Sequence, residues 1–240
     1  MKITSTIFLK SFLLLLASCT SSGMEIMNES LVENDEEYSQ VDAEITNLEQ
    51  KGSVFQIKGL GCNSLQYGTG FFVEENIVVT NAHVVAGVNS PRIIHNGDEY
   101  DLDFISLDPN SDLAILRSEN FSSKPLQLGE AEEGEFGTIL AFVKDGNKVI
   151  TEVKIREKIL AVGKDIFGQP GESREALSLE ARIESGFSGA PVLNEDSAVV
   201  GVVFSRSRGG GSTAYAVQSS EVKKILKKEP DLGSSTSCIP

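Results

Sequence analysis

The chain has 240 residues, a formal net charge of −14, 12 Phe, 4 Tyr and no Trp. An acidic balance of this size repels phosphate backbones, and no basic stripe or base-stacking platform offsets it, so nucleic acid is excluded as a partner. The length beyond the N-terminal segments suffices for one well-buried domain or two fused subdomains.

Residues 1–18 read as a segment outside the fold. Lys2 and Lys10 flank an apolar stretch whose dense core is Phe12–Leu16, too short for a comfortable bilayer span. It ends in Leu16-Ala17-Ser18-Cys19, which resembles the lipobox of bacterial lipoproteins, where the signal is cleaved before a cysteine that becomes lipidated. The expectation is a lipoprotein signal over 1–18 and a lipid on Cys19 that anchors the chain to a membrane of the cell envelope. The alternatives are an ordinary secretory signal or a short anchor. Residues 19–50 contain no Lys or Arg and include the acidic run Glu33, Asp35, Glu36 and Glu37, so they read as a disordered tether, with a short helix possible over 41–48.

From Ser53 onward the apolar spacing turns to that of strands. The pattern predicts strands over Ser53–Ile57, Tyr67–Val73, Ile77–Thr80, Arg92–His95, Tyr100–Leu107 and Leu113–Leu116, with a Glu-Glu-Asn turn joining the second and third. A second set is predicted over Phe136–Val143, Val149–Ile159, Leu177–Ile183, Ala190–Leu193, Ala198–Phe204 and Thr213–Val217. Residues 221–228 have helical spacing, with Val222, Ile225 and Leu226 on one face and Ser219 or Ser220 as the cap. The expected fold class is therefore all-β, with two six-stranded antiparallel barrels in one domain of residues 51–240. The first barrel covers about 51–125, the second about 126–218, and a C-terminal helix 219–228.

There are three cysteines. With Cys19 lipidated, Cys62 and Cys238 remain in an exported, oxidising compartment. The expectation is a bridge between them that ties the C-terminal tail to the first barrel; the alternative is two unpaired thiols.

The chemistry concentrates in Gly186-Phe187-Ser188-Gly189-Ala190-Pro191, where a serine lies between glycines in a tight turn before a strand. Upstream come Thr80-Asn81-Ala82-His83-Val84-Val85 and Asp112-Leu113-Ala114-Ile115-Leu116. Together they supply His, Asp and Ser in the chain order of a chymotrypsin-type triad. A serine hydroxyl is a poor nucleophile at neutral pH and needs a base to take its proton. His83 would be that base, Asp112 would hold the imidazole in the right tautomer, and the N–H groups of Gly186 and Ser188 would receive the oxyanion. Each element alone has a plainer reading: Gly-Ser-Gly turns are common, a lone histidine at a strand end is often structural, and Asp112, like Asp101 and Asp108, could be a turn residue. Three segments in the right order outweigh those readings. His95 reads as strand-end surface. The mechanism needs no metal and no cofactor.

Gly68-Thr69-Gly70-Phe71, the His83 and Asp112 segments and Gly201-Val202-Val203-Phe204 resemble bacterial trypsin-like proteases of the HtrA type, and more closely the membrane-bound, periplasmic MarP-type proteases of actinobacteria. Those proteases also carry a cysteine before the first hairpin and another at the extreme C terminus. The resemblance covers roughly residues 52–240 and implies an extracytoplasmic serine endopeptidase linked to envelope stress, acid above all. It also implies that the primary pocket is walled by the segment before the serine and the strand Phe204-Ser205-Arg206. Arg182 and Arg206 would then favour acidic side chains, unless they are spent on ion pairs with the many glutamates. The sequence departs from the family in its lipoprotein signal in place of transmembrane helices and in showing no PDZ-like segment. It also departs in Phe187 and Ala190, where an Asp or Asn and a Gly are more usual. In zymogen-activated trypsins that acid pairs with a newly cut N terminus, a switch unavailable to a lipidated one.

A protein or peptide substrate and a monomer are expected. Two other readings compete: a pseudoprotease that holds peptides by strand addition without cutting, and a scaffold whose acidic tether recruits basic partners.

Overall fold

The computed structural model describes residues 52–207, 211–231 and 237–240. The expected signal (1–18), Cys19, the acidic tether (19–50) and its helix over 41–48 lie outside the described residues.

Strands β1 (Val54–Gly61), β2 (Ser64–Glu74), β3 (Ile77–Thr80), β4 (Arg92–His95), β5 (Asp98–Asp108) and β6 (Leu113–Ser118) close one barrel in the order β1-β2-β3-β6-β5-β4. Strands β7 (Phe136–Phe142), β8 (Lys148–Ala161), β9 (Arg174–Glu180), β10 (Pro191–Leu193), β11 (Val199–Arg206) and β12 (Thr213–Gln218) close a second, β10-β11-β12-β9-β8-β7. Every strand pairing is antiparallel, and the fold is the trypsin-like pair of barrels. Helix α1 is a single turn, Ala82–Val85, and α2 spans Ser219–Leu226.

Side-chain alternation explains how two closed barrels also share a core. Successive residues of a strand point to opposite faces. Phe72 therefore turns into the first barrel with Phe55, Ile57, Val78, Ile93 and Leu116. Its neighbour Phe71 turns outward, joining Val54, Val79, Leu113 and Ile115. That outward face packs against Leu140, Val199, Val202 and Val217 of the second barrel and Val222 and Ile225 of α2. Both phenylalanines are fully buried, and burial of such a side chain stabilises by about 1.5–3 kcal/mol. The second barrel has its own interior of Ile139, Val153, Ile155, Leu177, Leu179 and Val203.

The β1–β2 hairpin runs further than the spacing predicts, to Gly61–Ser64. Cys62 and Asn63 form its two-residue turn with φ of 53° and 59°, the left-handed pair that suits the twist of a tight hairpin. Cys62 is bridged to Cys238 with a Cα–Cα distance of 5.8 Å, across a sequence separation of 176. Closing a loop that long restricts the unfolded chain, so Cys238→Ser is expected to lower unfolding free energy by about 2–5 kcal/mol. Urea unfolding under non-reducing conditions checks this, and a midpoint unchanged from the wild type would refute it.

Strand β9 and helix α2 differ from expectation. Strand β9 ends at Glu180 rather than Ile183; Ala181 and Ile183 are buried from the loop that follows. Helix α2 stops at Leu226 rather than residue 228, with Lys227 in the closing turn. Its N-cap is Gln218, and neither serine caps it. Ser219 Oγ donates to Val199 O and Ser220 Oγ to Glu175 Oε2, so both hydroxyls tie the helix to strands instead.

Candidate active site

His83 sits on α1, the turn that follows β3. Its orientation comes from Asp112, just before β6, where β3 and β6 pair from Ile77↔Arg117 to Thr80↔Ala114. Asp112 has φ 57°, a left-handed conformation that aspartate tolerates better than most residues. Two donors hold it there: Asn81 Nδ2 and Ala82 N–H reach its carbonyl at 2.9 and 3.1 Å. The loop is braced from the other barrel as well. Arg174 Nη1 donates to Asn110 O at 2.7 Å, and Ile166 N–H to Pro109 O at 3.2 Å.

The carboxylate grips His83 with both oxygens. His83 N–H donates to Oδ1 at 2.9 Å, and Nδ1 lies 2.7 Å from Oδ2. A carboxylate only accepts, so Nδ1 carries the proton and Nε2 keeps its lone pair in the neutral ring. The Asp112 side chain is 7% exposed and that of His83 30%. Burial of the imidazole favours its neutral form, but the Asp112 charge and hydrogen bond outweigh burial and leave the His83 pKa raised above its ordinary 6.5.

Ser188 stands in the turn between β9 and β10. Gly186 has φ 106° and Gly189 φ 84°, conformations that a side chain would strain. Crowding adds to this. A Cβ on Gly189 would strike Thr69 O and Thr80 Oγ1, and one on Gly186 would strike Phe142 O. Gly68 lies between the turn and α1: a Cβ there would come within 2.7 Å of both Ser188 O and Val84 Cγ2. The missing side chain lets the serine turn pack against the segment that carries His83. Ser188 is half-buried, and no direct hydrogen bond joins its hydroxyl to His83 among the described residues. Such bonds are often long without substrate and shorten on binding.

Phe187 is 1% exposed and packs in the interior of the second barrel. The turn is thus anchored by apolar burial at the position where zymogen-type trypsins use an acid. Ala190 is fully buried, and its N–H donates to Phe187 O at 2.9 Å, which closes the turn. The turn then joins β11 through Gly189 N–H to Val203 O and Val203 N–H to Ala190 O, both 2.9 Å.

Phe204 follows at once, opposite a register shift between Val203 and Ser205. It is half-buried, with the Arg174 guanidinium 4.9 Å from its ring centre. Ser205 and Arg206 are exposed, as is Arg182. Among the described residues neither Arg182 nor Arg206 forms an ion pair. His95 is a strand-end residue whose ring packs 5.2 Å from that of Phe121.

The sequence of the family "Trypsin-like peptidase domain" matches residues 68–202, a stretch that takes in His83, Asp112 and Ser188. The chain belongs to the trypsin-like peptidase family. It is 33% identical over 181 residues to the serine protease Rv3671c of Mycobacterium tuberculosis, covering 73% of this chain and 46% of that protein. It is 32% identical over 167 residues to the mitochondrial serine protease HTRA2 of Bos taurus, covering 67% and 36%. The chain spans under half the length of these curated relatives. Among solved structures, the active form of the Rv3671c protease superposes with a TM-score of 0.75 at 30% identity, covering 83% of this chain and 92% of that one. Its inactive form gives 0.69 at 31% identity, covering 78% and 93%.

Two residues of the trypsin-like peptidase site were missed by sequence reasoning. Asn81 is fully buried and clamps Asp112, and Thr69 is fully buried beneath the serine turn. Both lie inside motifs that were singled out. The signal for each was a polar residue inside a quoted motif, between Gly68 and Gly70 for Thr69 and two before His83 for Asn81.

Proposed function

We propose that this chain is a serine endopeptidase that works through an acyl-enzyme on Ser188. The observation that carries the reading is the two-point hold of Asp112 on His83, with the Ser188 turn packed against the same segment through Gly68. Ser188 Oγ attacks the carbonyl carbon of a peptide bond and gives its proton to His83 Nε2. The carbonyl oxygen takes up the electron pair and is met by the N–H groups of Gly186 and Ser188; one such donor is worth about 3–4 kcal/mol of barrier. The tetrahedral adduct collapses, the C–N bond breaks, and His83 protonates the departing amine. Water then repeats the sequence on the ester and restores Ser188.

Phe204, Ser205 and Arg206 are the segment against which the substrate chain lies, because β11 is hydrogen-bonded to the serine turn one residue earlier. The Leu-Ala-Ser-Cys segment supports export and lipidation at Cys19, so the envelope is the proposed location and envelope protein processing or stress response the proposed role. Incubation of the full chain with a reductively unfolded protein tests the activity: internal cleavage by the wild type and none by Ser188→Ala is expected. Cleavage that persists in the variant would overturn the reading.

The raised pKa of His83 sets a pH dependence with two opposite signs. Only neutral His83 can take the serine proton, so kcat/KM of the free enzyme falls as pH drops, with its acid limb centred above 6.5. Stability moves the other way. His83 binds its proton more tightly folded than unfolded, so its contribution to folding is full below the unfolded value of about 6.5 and is lost as pH rises through the folded one. Acid therefore silences the site while favouring its folded state. A pH–rate profile rising toward pH 4 would contradict this.

A further inference from the structure

The serine turn of the second barrel is held by a residue of the first. Thr69, in the middle of β2, is fully buried. Its N–H donates to Ser188 O at 2.8 Å, and its hydroxyl donates to Gly186 O at 2.9 Å. Phe142 N–H, at the end of β7, donates to the same hydroxyl at 2.9 Å. The Thr80 hydroxyl donates to Thr69 O at 2.7 Å, so the main chain of Thr69 is held in turn by β3.

The direction of these bonds is determined. A hydroxyl has one proton and an amide N–H can only donate. Thr69 Oγ1 therefore accepts from Phe142, and its own proton points to Gly186 O. One residue thus holds the carbonyls of both residues whose N–H groups would form the oxyanion hole. This matters most at Gly186, whose φ of 106° lies where glycine has several neighbouring conformations to choose from. Fixing its carbonyl fixes the plane of the following peptide, and fixing the Ser188 carbonyl secures the other end of the turn. The hydrogen bonds run from β2 and β3 of one barrel to β7 and the serine turn of the other, so they also register the two barrels at the point where the site is divided between them.

We propose that Thr69 is a positioning residue: its hydroxyl, polarised by Phe142 N–H, holds the Gly186–Ser188 backbone in the conformation that presents the oxyanion donors. The proposal deepens the serine-endopeptidase reading and rests on it for the catalytic consequence, though not for the structural one. A group that acts this way should affect the transition state more than substrate binding.

The test compares the full chain as wild type, Thr69→Val and Thr69→Ser. Valine keeps the branched shape and removes the hydroxyl; serine keeps the hydroxyl. Three quantities are measured: kcat and KM on a peptide amide, affinity for a peptide boronic acid whose tetrahedral adduct places an oxygen in the hole, and amide hydrogen exchange over residues 184–190. Thr69→Val is expected to lower kcat by about 10- to 100-fold with KM within about twofold, because the donors are displaced rather than deleted. Boronate affinity should fall by the same factor, and exchange over 184–190 should quicken while that of β6 is unchanged. Thr69→Ser should return every quantity to within about threefold of wild type. Should Thr69→Val fail to fold, Thr69→Cys, which keeps the size with a weaker donor, takes its place. A folded Thr69→Val with wild-type kcat and wild-type exchange would overturn the proposal, as would a Thr69→Ser as defective as the valine. If the wild type cleaves nothing and binds no boronate, the endopeptidase reading fails, while the exchange data still decide whether Thr69 holds the turn.

Discussion

Asp112→Asn is expected to lower kcat by about 10⁴-fold, some 5.5 kcal/mol of barrier, with KM and the fold close to wild type. The geometry gives the reason. Asp112 receives His83 N–H on one oxygen and Nδ1–H on the other. An asparagine keeps one acceptor oxygen, and the 2.9 Å bond from the His83 backbone N–H can retain it. Its NH₂ group then faces Nδ1 and can only donate. Nδ1 must accept, the ring proton moves to Nε2, and the nitrogen that should take the Ser188 proton is already protonated. The same change removes both influences that raise the His83 pKa and leaves burial, which lowers it. The residual activity should therefore show an acid limb shifted to lower pH. Steady-state kinetics between pH 5 and pH 9 read both effects. A loss of less than tenfold, or an acid limb that does not move, would remove Asp112 from its assigned part.

The second large effect is expected at Phe187, where alanine should cost about 3–5 kcal/mol of unfolding free energy. Phe187 is among the largest fully buried side chains and fills the second barrel interior beside the turn. Truncation leaves a cavity there and frees the backbone on either side of it, at Gly186 and Ser188. Activity should fall along with stability, because the turn that presents the nucleophile loses its apolar anchor. Phe187→Asp, which restores the residue type usual in zymogen-type trypsins, should be worse than alanine. It would bury a charge among the apolar side chains that pack around Phe187. Urea denaturation of the two variants measures this, and a cost below about 1 kcal/mol for alanine would show that the turn is held by other means.

The barrels were legible because the strands obey a period of two on both faces. Phe71 and Phe72 illustrate this: a strand buried on one side only would need one of them, and the pair signals a barrel packed inside and out. The His83, Asp112 and Ser188 segments could be joined into one candidate site from the sequence because each carries a local context that suits the proposed chemistry. Less could be read where one residue does two jobs. Thr69 is the polar centre of Gly68-Thr69-Gly70, and glycines on either side of a strand residue point to close backbone packing rather than to hydrogen bonds of the residue between them. Gly68 is indeed crowded by Ser188 O and Val84, yet the bonds of Thr69 itself depend on where Phe142 and Gly186 lie in the other barrel. Asn81 was hidden in the same way, since its partner is a backbone carbonyl 31 residues on. Helix capping failed for a related reason. Ser219 and Ser220 are good caps by type, but Val199 O and Glu175 offered their hydroxyls partners across the fold. The hairpin tip at Cys62-Asn63 and the short turn α1 lack the apolar periodicity that reveals longer elements.

The most direct measurement is labelling of the full chain with a fluorophosphonate, which forms a covalent bond only with a serine whose base and oxyanion donors are in place. The wild type should be labelled on Ser188, at a rate that falls as pH drops below the raised His83 value, and Ser188→Ala and His83→Ala should not be labelled. A folded, disulfide-bonded wild type that takes up no label, or takes it at another serine, would contradict the account.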